Sequence, residues 1–327
     1  MIQTSVYYCR IKGNVYIMEY YSVNRYLQDT FGRKIYKIAL DGGFTCPNRD
    51  GRCGTRGCIF CSGSGSGDFA ANRNKSVTEQ IEEGRKLVEH KLGRKSAEAE
   101  KADIGVATDA RYLAYFQAFT NTYASTERLE QLYTEALNHP DIAAISIATR
   151  PDCLPDDVVE LLARLNKIKP VWVELGLQTI HEQTAQYIRR GYTLDVYDDA
   201  VMRLREAGIP QIITHVILGL PGETEDMMLA TVRHVASVGS NGIKLQLLHV
   251  LHGTDIEQDY RDGVFEVMTM EEYTNLVVKC LRELPPDMVV HRMTGDGARR
   301  SLVAPLWSTD KKRVLNTLTR KIREAQN

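Results

Sequence analysis

Continuously apolar stretches alternate along the chain with segments in which apolar residues recur at helical spacing. The recurring segments predict amphipathic helices. Apolar stretches separated by helices indicate parallel strands whose sheet is covered on both faces. Six such units favour a partial (β/α)6 TIM-like barrel, an α/β fold, over a flat doubly wound sheet. The predicted strands are residues 35–40, 112–116, 143–149, 171–177, 212–218 and 242–249.

Two helix starts carry a capping signal, in which a hydroxyl residue is followed three positions later by glutamate. Ser76 with Glu79 predicts a helix that begins at residue 77, and Thr269 with Glu272 predicts one that begins near residue 270. Beyond about residue 255 the alternation of strands and helices changes. We therefore predict three parts, which are an N-terminal segment (1–33), the barrel (34–255) and a C-terminal α/β extension (256–327).

The composition is typical of a globular protein and excludes few classes of function. The 327 residues are 43% hydrophobic and 25% charged, with a formal net charge of −1. This charge favours no polyanionic partner, so any nucleic-acid contact requires a local basic patch. No apolar run approaches the roughly 20 residues of a membrane-spanning helix, and the start lacks a secretory signal pattern. We expect a cytoplasmic protein with no membrane partner.

The clearest candidate for chemistry is a cysteine-rich loop that follows the first predicted strand. Four of the seven cysteines, Cys46, Cys53, Cys58 and Cys61, lie in this loop. In a reducing compartment such a cluster is expected to bind metal or to do redox chemistry rather than to form disulfides. Active sites of α/β barrels lie at the carboxyl ends of the strands, where this loop would be.

Two kinds of metal centre are consistent with the loop. Four thiolates can enclose a structural zinc ion in a tetrahedron. Three thiolates can instead hold a [4Fe–4S] cluster and leave one iron open to another ligand. The spacing alone decides neither. The position at the mouth of a barrel, and the aromatic Phe60 between Cys58 and Cys61, favour the cluster, because a structural zinc ion requires no cavity.

Nine short strings occur in order along the chain, most of them at predicted strand ends. Together they resemble radical S-adenosylmethionine (SAM) enzymes and, more narrowly, the YhcC/YtqA family, which is related to the catalytic subunit of elongator. Each string alone is weak evidence, whereas the ordered set is specific. The strings are LDGGFTCPNRDG (40–51), GCIFC (57–61), YLAYFQAFTNTY (112–123), TRPD (149–152), ELGLQT (174–179), RRGYT (189–193), GLPGET (219–224), HRMTGDG (291–297) and APLW (304–307).

The resemblance implies a [4Fe–4S] cluster bound by Cys46, Cys58 and Cys61. SAM would chelate the open iron, and an electron from a donor such as flavodoxin or ferredoxin would cleave it to a 5′-deoxyadenosyl radical that abstracts hydrogen from the substrate. The first gap is eleven residues instead of the familiar three, as in the elongator-like subgroup. Cys53 lies inside this gap, and we interpret it as a bystander, because a fourth thiolate would close the iron that SAM must occupy.

The resemblance also implies a set of SAM contacts. Gln117 and Asn121 stand where related enzymes carry a GGE string for the methionyl amine. A guanidinium at Arg190 suits the SAM carboxylate, and at Gly219 the missing Cβ lets the backbone approach adenine. Taken singly, each residue also has a purely structural interpretation. The full set is Phe60, Gln117, Asn121, Gln178, Arg190, His215 and Gly219.

Substrate candidates come from the last predicted strand and from the extension. Lys244, Gln246 and His249 alternate with apolar residues, so all or most of them share one face of the strand. Residues of the extension could contact substrate or form a lid, and the alternative is a solvated loop. The substrate candidates are Lys244, His249, His291, Arg292 and Arg299.

A basic segment at residues 311–323, with Arg49, Arg52 and Arg56 near the cysteines, could form a path for phosphates. The alternative is an ordinary solvated helix face. The leading hypothesis is a radical SAM enzyme that modifies tRNA at a wobble-region uridine. The alternatives are radical chemistry on a protein or small metabolite, and a non-catalytic zinc-containing module that binds RNA or protein.

Overall fold

A curved sheet of eight parallel strands forms the centre of the molecule. The computed structural model describes residues 20–65, 67, 70–92, 110–295 and 300–325. Within them the strand order is β1-β9-β7-β6-β5-β4-β3-β2, and β8 and β10 form a separate antiparallel pair. The strands are β1 (Tyr21–Ser22), β2 (Tyr36–Leu40), β3 (Tyr112–Phe116), β4 (Ile142–Thr149), β5 (Val171–Gln178), β6 (Gln211–Leu218), β7 (Gly242–Leu247), β8 (Val250–Leu251), β9 (Val289–Arg292) and β10 (Leu302–Ala304).

Helices cover the outer face of this sheet, and a continuous apolar core fills the space between the two layers. Of the helices described here, none combines the length and apolar character that a membrane crossing requires. The helices are α1 (Val23–Phe31), α2 (Val77–Leu92), α3 (Thr126–Asn138), α4 (Asp156–Asn166), α5 (Glu182–Tyr187), α6 (Leu194–Glu206), α7 (Glu225–Val238), α8 (Asp255–Arg261), α9 (Met270–Arg282) and α10 (Lys311–Glu324).

The predicted partial barrel is confirmed, and its local signals can be traced in the structure. Strands β2 to β7 coincide with the six predicted strands to within a residue or two at each end. At the start of α2, the Ser76 amide donates to Glu79 Oε2 at 2.8 Å, and the Glu79 amide donates to Ser76 Oγ at 3.2 Å. The same reciprocal box caps α9 through Thr269 and Glu272. These caps satisfy amides that would otherwise lack partners at a helix start.

The amino ends of the strands are closed by α1, which the apolar pattern did not predict. Leu27 is 6% exposed and belongs to an apolar cluster with Trp172 and Ile213. The Tyr26 ring packs edge-on against the Trp172 indole, with centroids 5.6 Å apart. The barrel is therefore plugged at this end, which leaves the carboxyl ends of the strands for chemistry.

Part of the predicted C-terminal extension belongs to the central sheet. Strand β9 pairs in parallel with β7, with Ile243 opposite Val290, and β1 pairs with the other edge of β9. The extension also reaches the cysteine loop, where the Ile256 amide donates to the Ile59 carbonyl at 3.1 Å. The three-part division of the chain stays a prediction, but the sheet draws on all three parts.

Removing the Leu27 side chain tests whether α1 closes the barrel. We expect Leu27→Ala to lower the free energy of unfolding by about 2–5 kcal/mol, because truncating a buried leucine loses apolar burial and leaves a cavity. The matched control is Leu87→Ala on α2, since that side chain is 64% exposed and should change stability by less than about 0.5 kcal/mol. Urea unfolding followed by circular dichroism measures both. Equal midpoints for the two variants would show that α1 does not stabilise the barrel.

Candidate active site

A cavity of about 410 Å³ opens at the carboxyl ends of the strands. Its wall combines side chains from the strands with residues of the cysteine loop, so the barrel and the loop enclose one space. Eleven of the fifteen residues predicted to bind the cluster, SAM or substrate line this cavity. They are Cys46, Cys58, Phe60, Cys61, Gln117, Gln178, Arg190, His215, Lys244, His249 and Arg292.

Four of the predicted residues are not brought to the cavity wall. The Asn121 side-chain amide donates to the Ala148 carbonyl at 2.8 Å, which holds the residue behind the wall. The Gly219 amide donates to Met228 Sδ at 3.0 Å within the β6–α7 turn. His291 packs against Trp172, with ring centroids 5.7 Å apart, near the plugged end of the barrel. Arg299 lies outside the described residues.

Three of the four loop cysteines face the cavity, and the fourth does not. Cys46, Cys58 and Cys61 contribute to the wall and are half-buried. Cys53 is exposed and is absent from the wall. This placement fits a set of three thiolate ligands with Cys53 as a bystander, which stays a prediction.

Asn48 gives the loop its shape and connects it to the barrel. Its carbonyl accepts from the Gly57 amide at 2.7 Å. Its side-chain amide donates to the Arg189 carbonyl at 2.6 Å and lies 3.6 Å from Cys58 Sγ. Because Asn48 is only 4% exposed, these bonds are shielded from water. They fix Cys58 relative to the segment that follows β5.

Two side chains, Gln178 at the end of β5 and Arg190 after α5, carry buried polar atoms without a hydrogen-bond partner among the described residues. Gln178 has a φ of 69° and Arg190 is 2% exposed. Arg190 donates to the carbonyls of Thr179 at 2.5 Å and Tyr192 at 3.0 Å. Among the described residues, Gln178 Oε1 and Arg190 Nη2 have no hydrogen-bond partner, although Nη2 lies 3.8 Å from Glu182 Oε2. Buried polar groups are normally paired, so this pair of orphaned atoms fits a zwitterionic ligand in the cavity.

Arg150 lines the cavity, although no sequence pattern pointed to it. It is 8% exposed and binds both Asp152 oxygens, at 2.8 and 2.7 Å. It also donates to the Arg190 carbonyl at 2.9 Å. Burial raises the pKa of the Cys58 thiol to about 12, and the Arg150 charge opposes this shift. The TRPD string includes Arg150, but a sequence string does not show which side chains Arg150 contacts in the fold.

Deeper in the barrel, a single buried carboxylate gathers donors from four other strands. Glu174, on β5, accepts from Ser146 Oγ at 2.7 Å and from His215 Nε2 at 2.8 Å. Lys37 Nζ lies 3.4 Å from the same carboxylate, and the Lys244 ammonium forms an ion pair with it. Both Glu174 and Lys244 are almost fully buried. We refer to these five residues as the Glu174 network.

The charge states in this network follow from burial and from the neighbouring charges. The pKa of Glu174 lies well below its usual value, because Lys244 and Lys37 outweigh the cost of burial. Burial lowers the pKa of Lys244 to about 7, with Lys37 and Arg292 adding to the shift. Burial and the Lys244 charge lower the pKa of His215 to about 4. At neutral pH the carboxylate is therefore ionised and the imidazole is neutral.

One further cluster has metal-ligand chemistry but is already satisfied. Among the described residues, only Glu82, His139 and Asp141 bring three ligand atoms within 4.8 Å of one another. His139 Nε2 contacts Glu82 at 3.2 Å, and Nδ1 accepts from the Asp141 amide at 3.2 Å. Arg85 binds both carboxylates. Both ring nitrogens are thus in use, and the cluster is a helix-to-loop contact.

Comparison with known proteins decides the family. The model of the Radical SAM superfamily matches residues 50–235, and that of the Radical_SAM C-terminal domain matches residues 240–324. The chain is 45% identical to Bacillus subtilis YtqA over 93% of its own length and 89% of YtqA. It is 36% identical to Escherichia coli YhcC, with coverages of 85% and 84%. The chain belongs to the radical SAM superfamily, in the YhcC/YtqA family.

More distant relatives share the fold with this radical SAM enzyme. It is 23% identical to the tRNA uridine(34) acetyltransferase of Methanocaldococcus jannaschii, over 75% of its own length and 49% of that relative. The structure of Methanocaldococcus infernus Elp3 superimposes with a TM-score of 0.60 at 17% identity. The match covers 88% of this chain and 63% of the archaeal chain.

Radical SAM enzymes use a [4Fe–4S] cluster and SAM, and the donor set of this chain fits both. Three half-buried thiols at the cavity wall match the three thiolates that hold such a cluster and leave one iron open. Cys46, Cys58 and Cys61 would hold it, and Gln178 and Arg190 would contact SAM.

Single substitutions in the loop should separate ligand cysteines from the bystander. We expect Cys46→Ser, Cys58→Ser and Cys61→Ser each to lose most of the iron, because a hydroxyl is a poor substitute for a thiolate ligand. Cys53→Ser is the matched control and should retain about four irons per chain, the content of one [4Fe–4S] cluster. Iron and sulfide analysis after anaerobic reconstitution measures this. If Cys53→Ser lost iron like the others, the three-ligand set would be wrong.

Neutralising the buried carboxylate should destabilise the barrel. We expect Glu174→Gln to lower the free energy of unfolding by about 3–5 kcal/mol at pH 7, because it leaves a buried ion pair broken. The control is Glu130→Gln, whose partner Arg164 lies 2.9 Å away in an exposed pair worth less than about 1 kcal/mol.

The pH dependence of this difference supplies a second check. A carboxylate with a lowered pKa stabilises the fold above its unfolded pKa, and this contribution is lost as pH falls through the folded value. The gap between wild type and Glu174→Gln, measured by urea unfolding, should therefore shrink in acid. A gap that widened in acid would contradict the assigned charge state.

Proposed function

We propose that this radical SAM enzyme modifies a uridine in the wobble region of tRNA. The observation that carries the proposal is the relationship, over 75% of this chain, to a tRNA uridine(34) acetyltransferase. The chain covers only 49% of that relative, so the acetyltransferase activity itself is not carried over. The alternative is radical chemistry on a protein or a small metabolite.

The residues of the chain would bind and orient the reacting groups. When bound, the cluster and SAM supply a carbon-centred radical that takes a hydrogen atom from the substrate. Cys46, Cys58 and Cys61 would hold the cluster at the cavity wall. Gln178 and Arg190, each with an unsatisfied buried polar atom, would fix the zwitterionic end of SAM. An electron donor such as flavodoxin or ferredoxin is part of the same proposal.

An apolar cluster beside the cavity would keep water away from the radical. Ile59 of the cysteine loop packs with Ile217, Leu248 and Ile256, and Phe60 lies against them. The cluster thus joins the loop, the ends of β6 and β7, and α8. Excluding water protects reactive intermediates from side reactions, which gives the extension a role in the chemistry as well as in the fold.

Helix α10 offers the clearest surface for a nucleic acid. Its apolar side, formed by Val314, Leu318 and Ile322, is buried. Its only acidic residue is Glu324, which pairs with Arg320 at 2.8 Å. Clustered exposed cations on one helix are typical of a surface that binds phosphates. The exposed cations are Lys311, Lys312, Arg313, Arg320 and Arg323.

The structure removes two of the loop arginines from the predicted phosphate path. Arg49 donates to the carbonyls of Cys61 and Ser62, at 2.9 and 2.7 Å, and so supports the loop from within. Arg56 forms an ion pair with Asp255 at 2.7 Å. Arg52 is exposed and lies over the Tyr123 ring. The proposed path therefore consists of Arg52 and α10.

Replacing three cations of α10 should weaken tRNA binding. We expect Lys311→Gln/Lys312→Gln/Arg313→Gln to reduce affinity and to lower the salt slope of log K by up to about 3, roughly one for each lost phosphate contact. The control carries the same charge change at scattered exposed lysines, as Lys34→Gln/Lys86→Gln/Lys167→Gln. Fluorescence anisotropy with labelled tRNA at several salt concentrations measures both. Equal effects of the two triples would argue against α10 as the contact surface.

The decisive experiment for the function is comparative profiling of tRNA nucleosides from cells with and without the gene. Mass spectrometry should show one uridine derivative that is lost on deletion and restored by the wild-type gene but not by a Cys58→Ser copy. An unchanged profile in every tRNA would overturn the tRNA proposal and favour the alternative substrates.

A further inference from the structure

Arg190 reaches the cavity wall from a turn whose backbone is held in an uncommon conformation. The residues on either side of it, Arg189 and Gly191, have φ values of 55° and 83°. A left-handed conformation is rare for a residue other than glycine and persists where the surrounding structure enforces it. One such contact is the bond that the Asn48 side chain donates to the Arg189 carbonyl. The direction of Arg190 is therefore set by its neighbours.

The Arg190 guanidinium has one nitrogen left for a ligand. Its Nε and Nη1 donate to the carbonyls of Tyr192 and Thr179, at 3.0 and 2.5 Å. Its Nη2 has no hydrogen-bond partner in the part of the chain that the structure describes, and Glu182 Oε2 lies 3.8 Å away. Arginine frequently binds a carboxylate through two nitrogens. With a single nitrogen available, binding depends closely on where that nitrogen points.

The half-buried ring of Tyr192 contacts two buried guanidiniums at once. The Cζ atoms of Arg190 and Arg150 lie 4.7 and 5.1 Å from the ring centroid. The Tyr192 hydroxyl donates to the Gly176 carbonyl on β5, which fixes the ring against the strand. A guanidinium is attracted to an aromatic ring, and more strongly where water is excluded. The ring therefore restricts the Arg190 side chain to one position.

Arg150 holds the same turn through its backbone. Its Nη1 donates to the Arg190 carbonyl at 2.9 Å, while its Nε and Nη2 bind the two carboxylate oxygens of Asp152. Each nitrogen of Arg150 thus already has an acceptor. Although Arg150 lines the cavity, it acts on a ligand there through Arg190. Asp152 supplies the counter-charge and fixes the direction of Arg150.

We propose that Tyr192 and the Arg150–Asp152 pair are positioning residues that direct Arg190 Nη2 toward the carboxylate of SAM. Their effect is confined to the carboxylate, because they act through Arg190 and because Gln178 Oε1 is the acceptor suited to the amine. This role rests on the proposed contact between Arg190 and SAM. It holds whichever substrate the enzyme takes.

The test compares two ligands by anaerobic isothermal titration of the protein with its cluster bound. One ligand is SAM, and the other is decarboxylated SAM, which keeps the adenosine, the sulfonium and the amine. We expect Arg190→Met to weaken SAM binding by about tenfold or more, because a hydrogen bond to a charged group is lost. Its affinity for the decarboxylated ligand should change less than about threefold. Wild-type affinity for SAM in Arg190→Met would overturn the Arg190 contact, and the positioning role with it.

Two variants test the positioning residues from opposite sides of the turn. Tyr192→Leu removes the ring, and Asp152→Asn removes the counter-charge of Arg150 while keeping its shape. Each should weaken SAM binding by about tenfold, as Arg190→Met does, and should spare the decarboxylated ligand. Equal losses for both ligands would reveal a general structural role and refute the proposal. If Arg190→Met weakens SAM binding and neither of the two variants does, the Arg190 contact stands and the positioning role fails.

A double-variant cycle measured with SAM alone gives an independent readout. Because Tyr192 acts through Arg190, Arg190→Met/Tyr192→Leu should bind SAM no more weakly than Arg190→Met. Two residues that contribute separately would instead show additive losses. Additivity would therefore contradict the proposal.

Conservative and matched variants serve as controls. Tyr192→Phe keeps the ring and should bind SAM within about threefold of wild type, whereas a loss as large as that of Tyr192→Leu would exclude the ring contact. Tyr123→Leu removes a ring that lies 5.7 Å from the Arg52 guanidinium, away from the cavity wall, and should leave SAM binding unchanged. Iron content and circular dichroism establish that each variant is folded. If Tyr192→Leu loses its cluster, Asp152→Asn and Tyr192→Phe still decide the outcome.

Discussion

The buried carboxylate of Glu174 is the interaction on which the interior of this barrel depends. It joins β5 to β2, β4, β6 and β7 through Lys37, Ser146, His215 and Lys244. Without it, the inner face would bury cations that no apolar neighbour can compensate. A fully apolar interior would be simpler to stabilise, because a buried ion pair seldom gains over well-packed hydrophobic residues. The polar interior is therefore best explained by what the cavity must bind.

A second set of contacts makes the cysteine loop depend on distant parts of the chain. Arg189 has a φ of 55°, and its carbonyl accepts from Asn48 beside Cys58. Its guanidinium pairs with Asp255, which also binds Arg56 of the loop. These exposed ion pairs contribute little to stability. Their role is to orient the loop, so that α8 of the extension and the segment after β5 together set the position of the cysteines.

The sequence predicted those features that local pattern determines. Apolar runs located β2 to β7, and capping boxes located the starts of α2 and α9. The same reasoning missed α1, β1 and β9, because very short strands and a helix with mostly polar residues have no distinctive period. The Glu174 network was missed for another reason: its partners are 28 to 137 residues away in sequence. Periodicity indicates which face a side chain occupies, but not which side chain it meets there.

The predicted site residues also differ in whether a local sequence pattern determines their position. Lys244 and Gln246 reached the cavity because alternation on a strand fixes their face. His291 did not, since it lies at a register shift of β9, nearer the plugged end of the barrel, where its imidazole packs on Trp172. Asn121 and Gly219 rested on matched strings, and a matched string does not specify which side chains reach the cavity wall: Asn121 Oδ1 has no hydrogen-bond partner among the described residues, yet it lies behind the wall.

The chain combines two electrostatic environments that would treat an anionic substrate differently. The cations of α10 are exposed, so salt screens them within a Debye length of about 10 Å. They can attract a polyanion and orient it, but they cannot distinguish one nucleoside from another. Lys244 lies within the barrel, paired with Glu174, where screening is weak and charges interact strongly. Selectivity would therefore reside in the cavity, and affinity for a nucleic acid on the surface.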